Sequence, residues 1–393
     1  MHVLENLQDK IHVPKDLLSL YMSRILMRIS LGSLNVFLPI FFYTQYEQSL
    51  SMVILIFATM YMLHMLFTPI ASKLLSVFGV KPMLGAGMLF AVFAIWSLTF
   101  AETYLALSAV GFAVFSAIYR ALYWVPYHVD FARLLDNAHR GSQLALLRNI
   151  AGILVVLTPI VGGILITSMG FSAVFIYACV IMILALLPLA YTNNAYEKFS
   201  WDYIDTFTHL FKKANRSILM AHAANGAQGM AVMIFWPLYV FLLLDERYTA
   251  VGIIASLTLI AVLVLRYIIG KLFDSWSGER MLLVGVLFSA TGWVLKVFVN
   301  TPLQIFVADT YHQFGRTANT LTFDATTYEQ SADAGRYVDE YTAIKEMALN
   351  IGRLIMLGLV YVLAATFGIK IAFILAAIVT LFMIVLNKST KLA

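Results

Sequence analysis

The sequence predicts an all-α membrane protein: twelve transmembrane helices arranged as two pseudo-symmetric six-helix halves. Three observations carry that expectation. Hydrophobic residues make up 61% of the 393 and charged ones 12%, with a mean hydropathy of +0.86. A soluble domain is about half apolar and about a quarter charged. The apolar residues gather into twelve runs close to the ~20 residues that cross a bilayer's hydrocarbon. Finally, the chain resembles itself across a polar midpoint.

The runs are 17–43, 49–71, 81–100, 103–127, 143–168, 171–191, 217–244, 249–270, 281–299, 303–327, 345–367 and 370–387. Odd-numbered connections are minimal, as at Ser168-Met169-Gly170 and Asn300-Thr301-Pro302, whereas even-numbered ones are longer and basic. Sixteen lysines and arginines, among them Lys73, Arg140, Lys213 and Lys388, fall on one side; only Arg247 and Lys370 fall on the other. That bias places both termini in the cytoplasm, in an integral protein of the plasma or inner membrane. The apolar segment after the amino-terminal stretch is too long for a signal peptide, so no cleavage is expected.

The midpoint connection sets the expected domains: a first half at 1–191, a linker at 192–216, and a second half at 217–393. Phe199, Tyr203, Phe207, Leu210 and Phe211 recur in the linker at helical spacing, followed by Lys212, Lys213 and Arg216. This fits an amphipathic helix lying on the inner leaflet, or a simple linker between halves.

A search for internal repeats pairs Asn35-Val36-Phe37-Leu38-Pro39 with Met233-Ile234-Phe235-Trp236-Pro237, and Ser72-Lys73-Leu74-Leu75-Ser76 with Gly270-Lys271-Leu272-Phe273-Asp274, both 198 residues apart. Arg120 pairs with Arg316 at 196 and Gly152 with Gly352 at 200. Near-constant offsets in matching runs are the mark of a duplicated unit in parallel orientation.

Enzyme chemistry finds no footing. The chain has no HExxH, no GxSxG, no Walker loop and no nucleotide-binding glycine fingerprint. Its one cysteine, Cys179, can form neither an internal disulfide nor a thiolate metal site. No cofactor and no nucleic-acid partner is expected. The expected partners are a small-molecule substrate, protons and the bilayer, with the protein a monomer.

Two six-span halves joined by a cytoplasmic loop resemble the major facilitator superfamily of secondary transporters. The segment GKLFDSWSGER at 270–280 is similar to the family's signature between spans 8 and 9, with Gly278 four rather than three positions after Asp274. The resemblance implies an inner gate in which Asp274 latches onto a helix N-terminus, with Arg266, Gly270, Lys271 and Arg280 around it. The first-half copy has Ser72 and Ser76 where the glycine and aspartate belong. His139-Arg140-Gly141 resembles the end of the loop before span 5, which adds Arg140 to the gate. Thr158-Pro159-Ile160-Val161-Gly162-Gly163 is similar to a motif of the family's proton-coupled exporters.

The resemblance also implies that spans 1, 4, 7 and 10 line a central cavity. Polar residues collect on those spans. Asp309, His312, Gln313, Arg316 and Thr320 form one helical stripe; Arg24, Arg28, Gly32 and Asn35 form another. Arg120, Trp124 and Tyr127 form a third with Tyr119 and Tyr123 beside it, and His222, Asn225, Gly226 and Gln228 mark span 7. Charge at bilayer depth is costly, so these groups are expected to face a watery cavity.

Guanidinium forks suit carboxylate or phosphate. Arg28 and Arg316, with Arg120, are therefore expected to draw in an anionic group, alongside Asn35, Tyr123, Trp124, His222, Asn225, Gln228 and Gln313. The competing reading is structural pairing, for instance of Arg316 with Asp309 or Asp324. Asp309, read as the one carboxylate well inside a span, and His312 one turn away are expected to carry a coupling proton; a structural salt bridge is the alternative. His64 reads as a packing histidine and Lys296 as a lysine snorkelling outward. Arg148, Glu346 and Arg353 read as salt-bridge partners between halves. The functions expected are transport of an anionic or amphiphilic organic solute, or, as alternatives, a multidrug-type proton antiporter or a lipid flippase.

Overall fold

The computed structural model describes residues 15–134, 150–196, 199–273, 277–333 and 338–387, with side chains described outside 129–134, 266–273, 325, 328–333, 338–339 and 387. Its major helices are α1 (Lys15–Gly32), α2 (Leu38–Gln45), α3 (Leu50–Phe78), α4 (Val80–Ser97), α5 (Ala101–Leu134), α6 (Thr158–Met169), α7 (Phe171–Leu184), α8 (Tyr203–Leu210), α9 (Arg216–Met230), α10 (Trp236–Leu243), α11 (Tyr248–Phe273), α12 (Gly278–Val297), α13 (Pro302–Asp333), α14 (Val338–Phe367) and α15 (Ile371–Leu381). No strand occurs among the described residues.

Eight helical stretches are long and apolar enough to cross a membrane, one of which, Val80–His128, runs through two of the apolar runs. Outward faces carry exposed Leu55, Leu107, Val264 and Val362, as a lipid-facing surface requires. The helix α13 is not among the eight, because its polar stripe lowers its hydropathy.

The 198-residue offset recurs in the backbone. Helical structure breaks at 33–37 after α1 and again, as a π-turn, at Ala231–Phe235 after α9. Pro39 and Pro237 open the helices that follow, where a missing N–H costs nothing. Left-handed pairs then turn the chain at Glu47–Gln48 and Asp245–Glu246, and left-handed glycines at Gly170 and Gly368. Four breaks in one register follow from one unit of sequence used twice.

The two copies meet along α3 against α14 and α6 against α11. Pro159 and Gly163 serve the second contact, and Gly162 serves the packing of α6 on the break after α1. A Cβ on Gly162 would stand 2.2 Å from the Ser33 carbonyl oxygen, and one on Gly163 would stand 2.7 Å from that of Tyr248. A Cβ on Gly252 of α11 would meet the Pro159 carbonyl oxygen at 2.5 Å. Beside them, the Ile160 N–H donates to Ser256 Oγ at 3.2 Å. On the same side of the bundle, the Gln48 amide donates to Glu246 at 3.1 Å. The motif here serves close packing.

The linker packs against both halves of the chain. Leu210 of α8 is buried against Ile218, Tyr341 and Ile344, and Thr206 is buried too. Only part of its apolar face, including Ile204 and Phe211, is exposed. Lys73 pairs with Asp202 at 3.2 Å, while the N–H and Oγ of Ser200 both donate to Glu340. The linker thus grips α3 of the first half and α14 of the second.

Candidate functional site

A cavity of about 460 Å³ lies between the two halves of the chain. Asn35 reaches it from the break after α1, Tyr61 from α3, and Arg120, Trp124 and His128 from α5. The second half supplies Asn225, Met233, Arg316 of α13, and Glu346 and Arg353 of α14. Among the described residues, the charges lining it are three guanidiniums against one carboxylate.

Tyr61 organises two of those guanidiniums. Its ring lies 5.2 Å from the Arg120 guanidinium and 4.8 Å from that of Arg353, one from each half. Arg353 donates to Asn350 Oδ1 at 2.6 Å, and the Asn350 amide donates to His64 Nδ1 at 3.1 Å. His64 is thus a hydrogen-bonded packing histidine, as the sequence suggests, but it packs across the interface between halves. Arg120 has no such support. Among the described residues no carboxylate lies within ion-pair distance of it, and its buried Nε has no hydrogen-bond partner. Buried donors without partners are rare.

Glu346 corrects a sequence expectation. It counts as a second deep carboxylate, because α14 begins at Val338, two turns before it, and it is 3% exposed. Its Oε1 lies 3.7 Å from His128 Nε2 and 3.5 Å from Lys345 Nζ. His128 was not singled out by sequence because it stands beyond the last apolar residues of its run.

The other expected site residues separate in space. Asn35, Arg120, Trp124, Asn225 and Arg316 line the cavity, whereas Arg28, Tyr123, His222, Gln228 and Gln313 are not among its lining residues. Arg28 is half-buried. Tyr123 is buried, stacked on Tyr127 with ring centroids 5.7 Å apart. Tyr127 in turn carries the Arg24 guanidinium at 3.8 Å, so the aromatic run of α5 is largely a platform for an arginine. His222 packs on Phe323 at 5.1 Å, and Gln228 is buried. Asp274 and Arg140 lie outside the described residues, as do the side chains of Arg266, Gly270 and Lys271; Arg280 is exposed in the first turn of α12.

Asp309 and His312 share their stripe with Arg316 but leave the cavity's lining, two turns and one turn nearer the Asn300 connection. There Lys296 meets them. Its ammonium donates to Asp309 Oδ1 at 2.6 Å, stands 3.4 Å from His312 Nδ1, and lies 4.1 and 4.5 Å from the ring centroids of Trp236 and Trp293. Lys296 is 1% exposed, which corrects the expectation that it snorkels outward. A carboxylate and two aromatic faces offset desolvation. The signal was available: α12 and α13 form a hairpin about the Asn300 turn, so opposite charges at 296 and 309 face one another.

Long apolar helices around a charged cavity define an integral membrane protein with the architecture of a transporter. The family profile described as Major Facilitator Superfamily matches residues 20–311, and the chain belongs to that family. The structure is similar to a POT family transporter in complex with 5-aminolevulinic acid (TM-score 0.68, 11% identity, 95% of each chain covered). It is similar too to a Major Facilitator Superfamily transporter, FucP, in the outward conformation (TM-score 0.66, 12% identity, 95% of this chain and 99% of that one). A third likeness is to the E. coli fucose:proton symporter FucP (TM-score 0.63, 13% identity, 94% and 97% covered). No curated protein sequence matches the chain.

Proposed function

We propose that this chain is a secondary active transporter that carries a small organic anion by alternating access. The proposal includes twelve spans in two six-helix halves, both termini in the cytoplasm of a cell's plasma or inner membrane, and a monomeric working unit. The observation that carries it is Arg120: a guanidinium at the cavity with no carboxylate partner among the described residues. Arg316 and Arg353 add to the positive field, and a forked donor set suits a carboxylate or phosphate. The same field opposes cationic drugs.

Proton coupling is part of the proposal. Asp309, with Lys296 and His312, supplies one carboxylate able to exchange a proton; Glu346, with His128, supplies another that lines the cavity itself. The likeness to a protein named as a proton symporter supports coupling of this kind.

The test is uptake by the purified chain in proteoliposomes, with labelled organic anions and cationic dyes, with and without a pH gradient. Anion accumulation driven by the gradient and lost in Arg120→Ala is the expected result. Dye transport without anion transport would sink the reading.

A further inference from the structure

The polar cavity has an apolar annex. A second hollow of about 50 Å³ lies mainly within the first half, walled by Leu31, Phe57, Met60, Ala94, Ile95 and Phe112 from four helices, with Ser116 and Tyr119 also on its lining. Phe57, Met60, Ala94, Ile95 and Phe112 are each at most 4% exposed. Three residues line both spaces: Asn35, Arg120 and Met233. Two of these, Asn35 and Met233, are partners under the 198-residue repeat, and each sits in its half's helix break. Breaks of this kind inside helices often accompany function. Met233 also accepts a weak hydrogen bond from the Tyr61 hydroxyl at 3.9 Å, so the flexible thioether and the arginine platform meet where the two spaces join.

We propose that the hollow is a subsite for the apolar limb of the transported solute, whose anionic head lies at Arg120. The inference rests on the anion reading above and adds a specificity determinant to it. Its polarity follows from the walls: a space lined mostly by aliphatic and aromatic groups, with its charged and amide groups at the end shared with the larger cavity, gains by taking hydrocarbon. Its size sets the limb. One water needs about 10–15 Å³ and benzene, with six carbons, fills an engineered cavity of about 150 Å³, so about 50 Å³ takes a limb of about two to four carbons. Unlike the pockets of binding proteins that take a whole ligand, this one adjoins the charge that holds the head. Met233, unbranched and polarisable, adapts to limbs of different shape.

The test measures binding of labelled straight-chain carboxylates, acetate through octanoate, and of their uncharged primary amides, to the full chain in nanodiscs. Affinity of the carboxylates should climb about fourfold per added carbon, then level off between propionate and pentanoate. Ala94→Leu, which fills the hollow, should flatten the ladder and leave acetate binding unchanged. Met60→Ala, which enlarges it, should extend the climb by one or two carbons. Carboxylates that bind with a flat ladder, or a climb through octanoate that neither variant alters, overturn the subsite and leave the anion reading standing. Amides that climb and respond to both variants while carboxylates fail to bind would keep the subsite and overturn the anion reading. Binding by neither series overturns both.

Discussion

The Lys296 ammonium and the Asp309 carboxylate, 2.6 Å apart and both buried, form an ion pair that bridges the helices of one hairpin. Removing one partner of such a pair leaves a charge in low dielectric, at a cost of about 3–5 kcal/mol, whereas replacing both by apolar groups is often neutral. Asp309→Asn alone should therefore lower the thermal midpoint of the purified protein clearly. Lys296→Met combined with Asp309→Leu should restore most of it. Equal midpoints for the single and double variants would show that the pair contributes no net coupling.

The same double variant separates the two routes for a coupling proton. If Asp309 carries it, the variant exchanges substrate across the membrane but no longer accumulates it under a pH gradient. If accumulation survives, Asp309 is excluded and Glu346 takes its place. Glu346→Gln should then abolish gradient-driven uptake while counterflow persists, and it should do so with His128 still present.

Arginines at the cavity should matter more than those beside it. A charged hydrogen bond to an anion contributes about 1.5–3 kcal/mol, so Arg120→Ala and Arg316→Ala should each weaken anion binding by about ten- to hundredfold. Arg28→Ala should weaken it less, since Arg28 is not among the lining residues. A larger loss in Arg28→Ala than in Arg120→Ala, measured by direct binding, would move the site toward α1.

Gly163 and Gly252 let α6 and α11 touch backbone to backbone. Ala at either position forces those helices apart, and overpacking of this kind costs about 1–3 kcal/mol. Both variants should lower the thermal midpoint and should raise labelling of a cysteine introduced at Gln48, beside Glu246. Unchanged labelling would mean that the crossing does not control access from that side.

Much of the fold was legible because its causes are local and repeated. Apolar runs of the right length, proline at two helix starts, and an offset of 198 residues are properties of the chain read along itself. The structure reuses that offset down to its left-handed turns at Glu47–Gln48 and Asp245–Glu246. Helical period also placed Asp309, His312 and Arg316 on one stripe. What the period could not say is where along that stripe the cavity ends. That depends on Trp236 and Lys296, which come from other helices.

The sequence by itself determined a helical membrane protein, its duplicated unit, and the residue types that can bind an anion or a proton. Tertiary structure alone decided which of them meet. Arg120 lines the cavity with Tyr61 beneath it, while Tyr123, three residues on, is buried under Gly87. Glu346 joins His128 across the halves, and Lys296 turns inward to Asp309. The reason is physical. Secondary structure follows from contacts a few residues apart, but the cost of burying a charge is set by what neighbouring helices offer it, and that is known only once they have packed.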